Sequence, residues 1–264
     1  MRASVVGAVV LAAVALVAPS AAHAVANGTP DGNRHPYAAV LVADFDGSGV
    51  KTPFCSGALI APRVVLTASH CIQFGLPLDA VWVSFDSAYS PSTSTVYHGT
   101  LVPNPDFAYY KGPGGASNPH DVAVVRLDEA PPITPARLPS ANLLSSIDLR
   151  GQTFTVVGYG ATRVDKTKGP NNIQHGTYPD VRNVGTVRFR SLQASWLTTE
   201  ENPALGDASG CYGDSGGPYL LGDSDVVVAM TDGGDHVCRN DGKEDRIDTD
   251  SARQFLASQG VPLP

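Results

Sequence analysis

Gly213-Asp214-Ser215-Gly216-Gly217-Pro218 sets a serine among glycines, shortly after Cys211 and Tyr212. Small neighbours let a backbone turn sharply and approach another molecule closely, which is what a reacting side chain requires. A free serine hydroxyl is a poor nucleophile at neutral pH. It needs a base within hydrogen-bond reach and a third group to orient that base. Upstream of Ser215, Leu66-Thr67-Ala68-Ser69-His70-Cys71 offers the base, and Asp121-Val122-Ala123-Val124-Val125-Arg126-Leu127 offers the orienting group. An aspartate at a strand edge is normally a solvated boundary residue, but an apolar run follows Asp121 at once. Asp128 leads into Glu129-Ala130-Pro131-Pro132, a loop, and Asp106 has no apolar strand after it. The other histidines (His23, His35, His98, His120, His175 and His236) read as ordinary surface or core residues.

In the order His, Asp, Ser, these segments resemble the chymotrypsin/trypsin family of serine endopeptidases, one of three unrelated arrangements of that triad. The resemblance covers essentially all of the chain after residue 24. It implies that Ser215 attacks a scissile carbonyl carbon, His70 takes and returns the proton, and Asp121 orients His70. The backbone N–H groups of Gly213 and Ser215 would form the oxyanion hole, where losing one donor costs about 3–4 kcal/mol of barrier. The family usually has Ala where Ser69 stands, and the added hydroxyl is expected to be tolerated. Four cysteines allow three pairings; the resemblance selects Cys55–Cys71 and Cys211–Cys238. The alternative of four free thiols suits an exported protein poorly.

Substrate selection is read from the same resemblance. Ser209 matches the floor of the specificity pocket, where a carboxylate would select Arg or Lys and a serine points to large apolar or aromatic side chains. The pocket wall, normally Ser-Trp-Gly, aligns with Thr231-Asp232-Gly233. Without the Trp, Asp232, Asp235, Glu244 or Asp245 could reach inward and restore a basic preference. Gly233 is expected to leave the mouth open, and Tyr212 to sit at the entrance.

The first residues are expected to be removed. Arg2 precedes an apolar run from Val5 to Ala18, and Ala22-His23-Ala24 offers a cleavage site, so residues 1–24 read as a secretory signal. The rival, a membrane anchor, would need about 18–20 apolar residues. In the family a new N-terminus, usually Ile-Val-Gly-Gly, pairs with the Asp before the catalytic Ser. Here Val25-Ala26-Asn27-Gly28 matches and begins directly after Ala24, making Val25 and Asp214 the expected pair. The alternative is an exposed tail whose short propeptide is removed later.

The 264 residues carry a net charge of −7, with no basic cluster, which argues against nucleic acid as a partner. Acidity concentrates between Asp223 and Asp250, where solubility and attraction of cationic substrates are both adequate explanations. No metal or organic cofactor is expected: there is no Cys-x-x-Cys pair, and the segment after Trp82 lacks the paired carboxylates of a calcium loop. Asn27-Gly28-Thr29 matches the glycosylation triplet, a weak signal.

Short apolar or alternating runs recur at Ala39–Val42, Ala58–Ile60, Val64–Thr67, Val81–Phe85, Val122–Leu127, Phe154–Val157, Gly185–Phe189 and Val226–Met230. Only Ser251–Gln259 reads as helix, capped by Ser251, with Phe255 and Leu256 inward and Gly260 and Pro262 as stops. That is an all-β protein with one terminal helix. The resemblance implies two packed antiparallel six-stranded β-barrels, residues 25–138 carrying His70 and Asp121 and residues 139–264 carrying Ser215. The expected molecule is a secreted serine endopeptidase, clear of membranes after signal removal, with a polypeptide substrate and a protein inhibitor as a further candidate partner. Two alternatives remain: a catalytically silent binding protein on the same fold, and an esterase using the same triad.

Overall fold

The computed structural model describes residues 25–75, 77–108, 120–162, 178 and 180–264. Residues 1–24, expected above to be a secretory signal, lie outside the described residues, as do residues 109–119 and 163–177. In chain order the strands are β1 (Thr29–Pro30), β2 (Ala38–Ala43), β3 (Thr52–Ala61), β4 (Val64–Ala68), β5 (Val81–Ser84), β6 (Tyr97–Pro103) and β7 (Val122–Leu127). A short helix, α1 (Leu143–Ser146), lies in the connection to β8 (Thr153–Gly158), β9 (Asn183–Leu192), β10 (Trp196–Glu200), β11 (Pro218–Leu221), β12 (Val227–Gly234) and β13 (Asp241–Arg246). The chain ends with α2 (Asp250–Ser258).

Strands β2-β3-β4-β7-β6-β5 close into one antiparallel barrel. Strands β9-β10-β13-β12-β11-β8 close into a second through the β8–β9 pairing, with β1 added alongside β9. Closure leaves no barrel edge unpaired. The sequence of β2, Ala-Ala-Val-Leu-Val-Ala, is buried throughout, and its two faces serve different neighbours. Ala39, Leu41 and Ala43 enter the first barrel's core, whereas Val40 and Val42 pack with Tyr89 and with Tyr159, just beyond β8. A strand covered on both faces loses polar alternation, and β2 reads as a continuous apolar run for that reason.

The chain ends cross between barrels. Residues 29–30 pair with β9 of the second barrel, while Phe255 and Leu256 of α2 join the core of the first. The helix is capped by Thr249, whose Oγ1 accepts the Ala252 N–H at 3.3 Å, and not by Ser251. The Ser251 hydroxyl instead lies 2.9 Å from His120 Nδ1. Between the barrels, Arg182 is fully buried. Its guanidinium donates to Asp31 Oδ2 (2.8 Å), the carbonyls of Ala38 and Phe85, and the Tyr159 hydroxyl. Bonds from His35 and Arg182 hold the Asp31 carboxyl at about 2, overcoming the opposing effect of burial.

Candidate active site

His70 stands one residue into a 3-10 turn, Ser69–Phe74, that follows β4. Asp121 immediately precedes β7, and the β4–β7 pairing of Ala68 with Val122 brings the two together. Asp121 grips His70 twice: its Oδ1 accepts the His70 backbone N–H at 2.6 Å, and its Oδ2 lies 2.5 Å from Nδ1. A carboxylate facing Nδ1 fixes the tautomer that carries its proton there, leaving Nε2 to act as acceptor. Burial works to lower the imidazole's basicity, but the charge and hydrogen bond of Asp121 outweigh it and raise the pKa above the ordinary histidine value. The Ser69 hydroxyl is more than tolerated. It donates to the Val122 carbonyl (2.9 Å) and accepts the Asn104 N–H (3.1 Å), tying the turn to β6 and β7.

Ser215 comes from the second barrel's loop before β11, and Ser56 of β3 joins that loop to the first barrel. Ser56 donates its N–H to the Ser215 carbonyl (2.9 Å) and its hydroxyl to the Gly213 carbonyl (2.8 Å). Gly213 and Gly216 have φ of 92° and 80°, the left-handed region that favours glycine. A Cβ on Gly216 would also collide with Thr67 Oγ1 and stand 2.6 Å from Ala68 N. The loop thus rests directly on the end of β4, the strand that leads into the His70 turn. Nothing local in the sequence marks Ser56 for this part, because its two bonds cross between barrels.

Asp214 is wholly buried. Its Oδ1 accepts the Gly160 N–H (2.7 Å) and its Oδ2 the Cys211 N–H (2.9 Å). Burial still pushes the carboxyl up to about 7. Val25 is buried in the second barrel's core, and Ala26 bridges Ser209, whose N–H donates to the Ala26 carbonyl at 2.9 Å.

At the expected pocket, Ser209 is fully buried and its hydroxyl donates to Glu201 Oε2 at 2.6 Å. Glu201 Oε1 also accepts the Tyr219 hydroxyl (2.8 Å), and Glu244 lies beside it, the Thr199 hydroxyl reaching both carboxyls. Both acids are buried, which raises their pKa values, that of Glu201 to about 7. Thr231 is buried; Gly233 is exposed, with no atom within 4 Å of where a Cβ would stand; Tyr212 is half-buried, its hydroxyl 3.5 Å from the His236 carbonyl. Glu201 escaped the sequence reading because it belongs to no motif and reaches Ser209 only through the fold.

Disulfides join Cys55 to Cys71 and Cys211 to Cys238. The first staples β3 to the His70 turn, and the second ties the Ser215 loop to the segment after β12. The Trypsin family profile matches residues 27–252. The chain belongs to the trypsin family. Among curated relatives it is 29% identical to glucanase inhibitor protein 4 of Phytophthora infestans, over 75% of this chain and 74% of that protein. It is 27% identical to a chymotrypsin of Phaedon cochleariae, over 78% of this chain and 71% of that one. The solved structure of HL collagenase superposes with a TM-score of 0.64 at 20% identity, covering 90% of this chain and all of that one. That likeness concerns the fold. Among the described residues, no helix is long and apolar enough to cross a membrane.

Proposed function

We propose that this trypsin-family protein is a secreted serine endopeptidase in which His70 and Asp121, from the first half of the chain, serve Ser215 from the second. The observation that carries this reading is the double grip of Asp121 on His70, beside a nucleophile loop anchored by Ser56. Ser215 Oγ attacks the scissile carbonyl carbon while its proton passes to His70 Nε2. The oxyanion is held by the N–H groups of Gly213 and Ser215. His70 then protonates the leaving amine, and water releases the acyl group by the same path in reverse. The processed N-terminus of Val25 pairs with Asp214 and sets that loop. Above about pH 7, where the Glu201 carboxyl behind Ser209 is ionised, the pocket floor favours a cation, so cleavage follows Arg or Lys.

Similarity to a glucanase inhibitor protein favours a second reading, a binding protein without catalysis. Fluorophosphonate labelling separates the two. The endopeptidase labels at Ser215, loses labelling in Ser215→Ala, and loses several orders of magnitude in peptide hydrolysis in Ser215→Ala or His70→Ala, with effects that do not add. An unlabelled, folded wild-type protein refutes the catalytic reading. A peptide-library digest distinguishes a protease from an esterase and reads the preferred side chain directly.

A further inference from the structure

The double grip on His70 is not the whole of its electrostatic surroundings. Polar atoms of His70, Asp121 and Asp232 lie within 4.8 Å of one another. Asp232 is where the β12–β13 register shifts, between Thr231 and Gly233. A bulge re-aims a side chain, and here an acid of β12 comes against Asp121, just before β7. From β13, Asp245 Oδ2 accepts the Asp121 N–H at 2.9 Å, and Lys243 Nζ lies 3.2 Å from Asp232 Oδ2. Lys243 also sits over the Trp196 ring, 4.2 Å from its centroid. The charged and titratable groups facing Asp232 are therefore His70, Asp121, Lys243, Asp245 and, behind them, Glu244.

We infer that Asp232 is a positioning residue for the reaction, a second carboxylate that acts on His70 from beside Asp121 and is itself held by Lys243. The inference rests on the triad reading of the same site. When Ser215 gives up its proton, the ring becomes an imidazolium, and a carboxylate within about 5 Å stabilises that cation through a poorly screened medium. Lys243 opposes part of this, being a cation bound to the same carboxylate. Burial and the charge of Asp121 raise the Asp232 pKa, while Lys243 lowers it again. The net result is a carboxyl raised to about 6, so Asp232 is ionised on the alkaline plateau of the profile. Asp245 stays protonated longer, since burial and the charges of Asp232 and Asp121 push its carboxyl well up.

Removal of either charge should therefore move the acid limb of the kcat/KM–pH profile, in opposite directions. Asp232→Asn should lower that limb by about one pH unit, which corresponds to about a tenfold loss at the alkaline plateau as the imidazolium loses its stabilisation. Lys243→Gln should raise the limb. A residue acting only on the shape of the site would not reverse the shift with the sign of the charge removed. Active-site titration with a fluorophosphonate normalises every variant to competent sites. If wild-type enzyme does not label, the triad reading fails. If it labels and shows an acid limb, but the two substitutions shift it the same way or not at all, the role of Asp232 is overturned and the triad stands.

Discussion

Asp214 gives a substitution whose sign should depend on where the chain begins. Consider first a chain that keeps Ala22-His23-Ala24 ahead of Val25, so that residue 25 has an amide nitrogen and no α-ammonium. Among the described residues the Asp214 carboxyl then has the N–H groups of Gly160 and Cys211, and burial moves it from 3.8 to about 7. A carboxyl raised on folding keeps its proton where the unfolded chain has lost one. Stability is full below the unfolded value, falls as pH rises from about 4 to about 7, and then levels off. Roughly three units at 1.36 kcal/mol each make the loss about 4 kcal/mol at pH 8. Asparagine resembles the protonated acid and cannot ionise, so Asp214→Asn in this chain should gain up to about 4 kcal/mol at pH 8 and nothing at pH 3.5. In a chain beginning at Val25, the proposed ammonium pairs with the carboxylate. The same substitution should then strand a buried cation and cost about 3–5 kcal/mol, with activity lost. Guanidinium unfolding of the four proteins at both pH values, followed by the fluorescence of Trp82 and Trp196, reads the result. Equal signs in the two chains at pH 8 would refute the Val25–Asp214 pairing.

Arg182→Met should destabilise the protein by about 3–5 kcal/mol at pH 7, because it leaves Asp31 charged, buried and without its guanidinium. Asp31 is depressed on folding, so its contribution is present above about 4 and is lost as pH falls towards 2, and the variant's deficit should shrink over that window in a pH series of thermal melts. Glu201→Gln removes a carboxyl raised to about 7 and should stabilise the fold by about 3 kcal/mol at pH 8 but not at pH 4. The same variant should lower the ratio of kcat/KM for Arg over Phe substrates; an unchanged ratio would remove Glu201 from substrate selection.

The fold class was legible because its signals are local. The apolar runs at β2, β4, β7 and β8 each announce a strand by composition alone, and the terminal helix is punctuated by Gly260 and Pro262. The cap slipped from Ser251 to Thr249 because both residues are chemically able to cap, and only the backbone path decides which one stands at the first turn. Strand β13, Asp-Gly-Lys-Glu-Asp-Arg, was invisible by composition. Its charged side chains look solvated in sequence, yet Glu244, Asp245 and Arg246 are buried. Pairing with β10 and β12 satisfies their backbone; Arg246 donates to both oxygens of Asp248, while burial raises the Glu244 and Asp245 carboxyls and so favours their neutral forms.

The sequence by itself determined which residues are chemically suited to the proposed reaction. His70, Asp121 and Ser215 lie in short contexts that specify a turn, a strand start and a sharp loop, and these depend on near neighbours. What the tertiary structure decided is everything that needs two distant segments at once: Ser56 fastening the Ser215 loop, Glu201 beneath Ser209, and Asp232 beside Asp121. The physical reason is register. Strand pairing and barrel closure set which side chains meet, a one-residue bulge changes that set, and no local pattern encodes it.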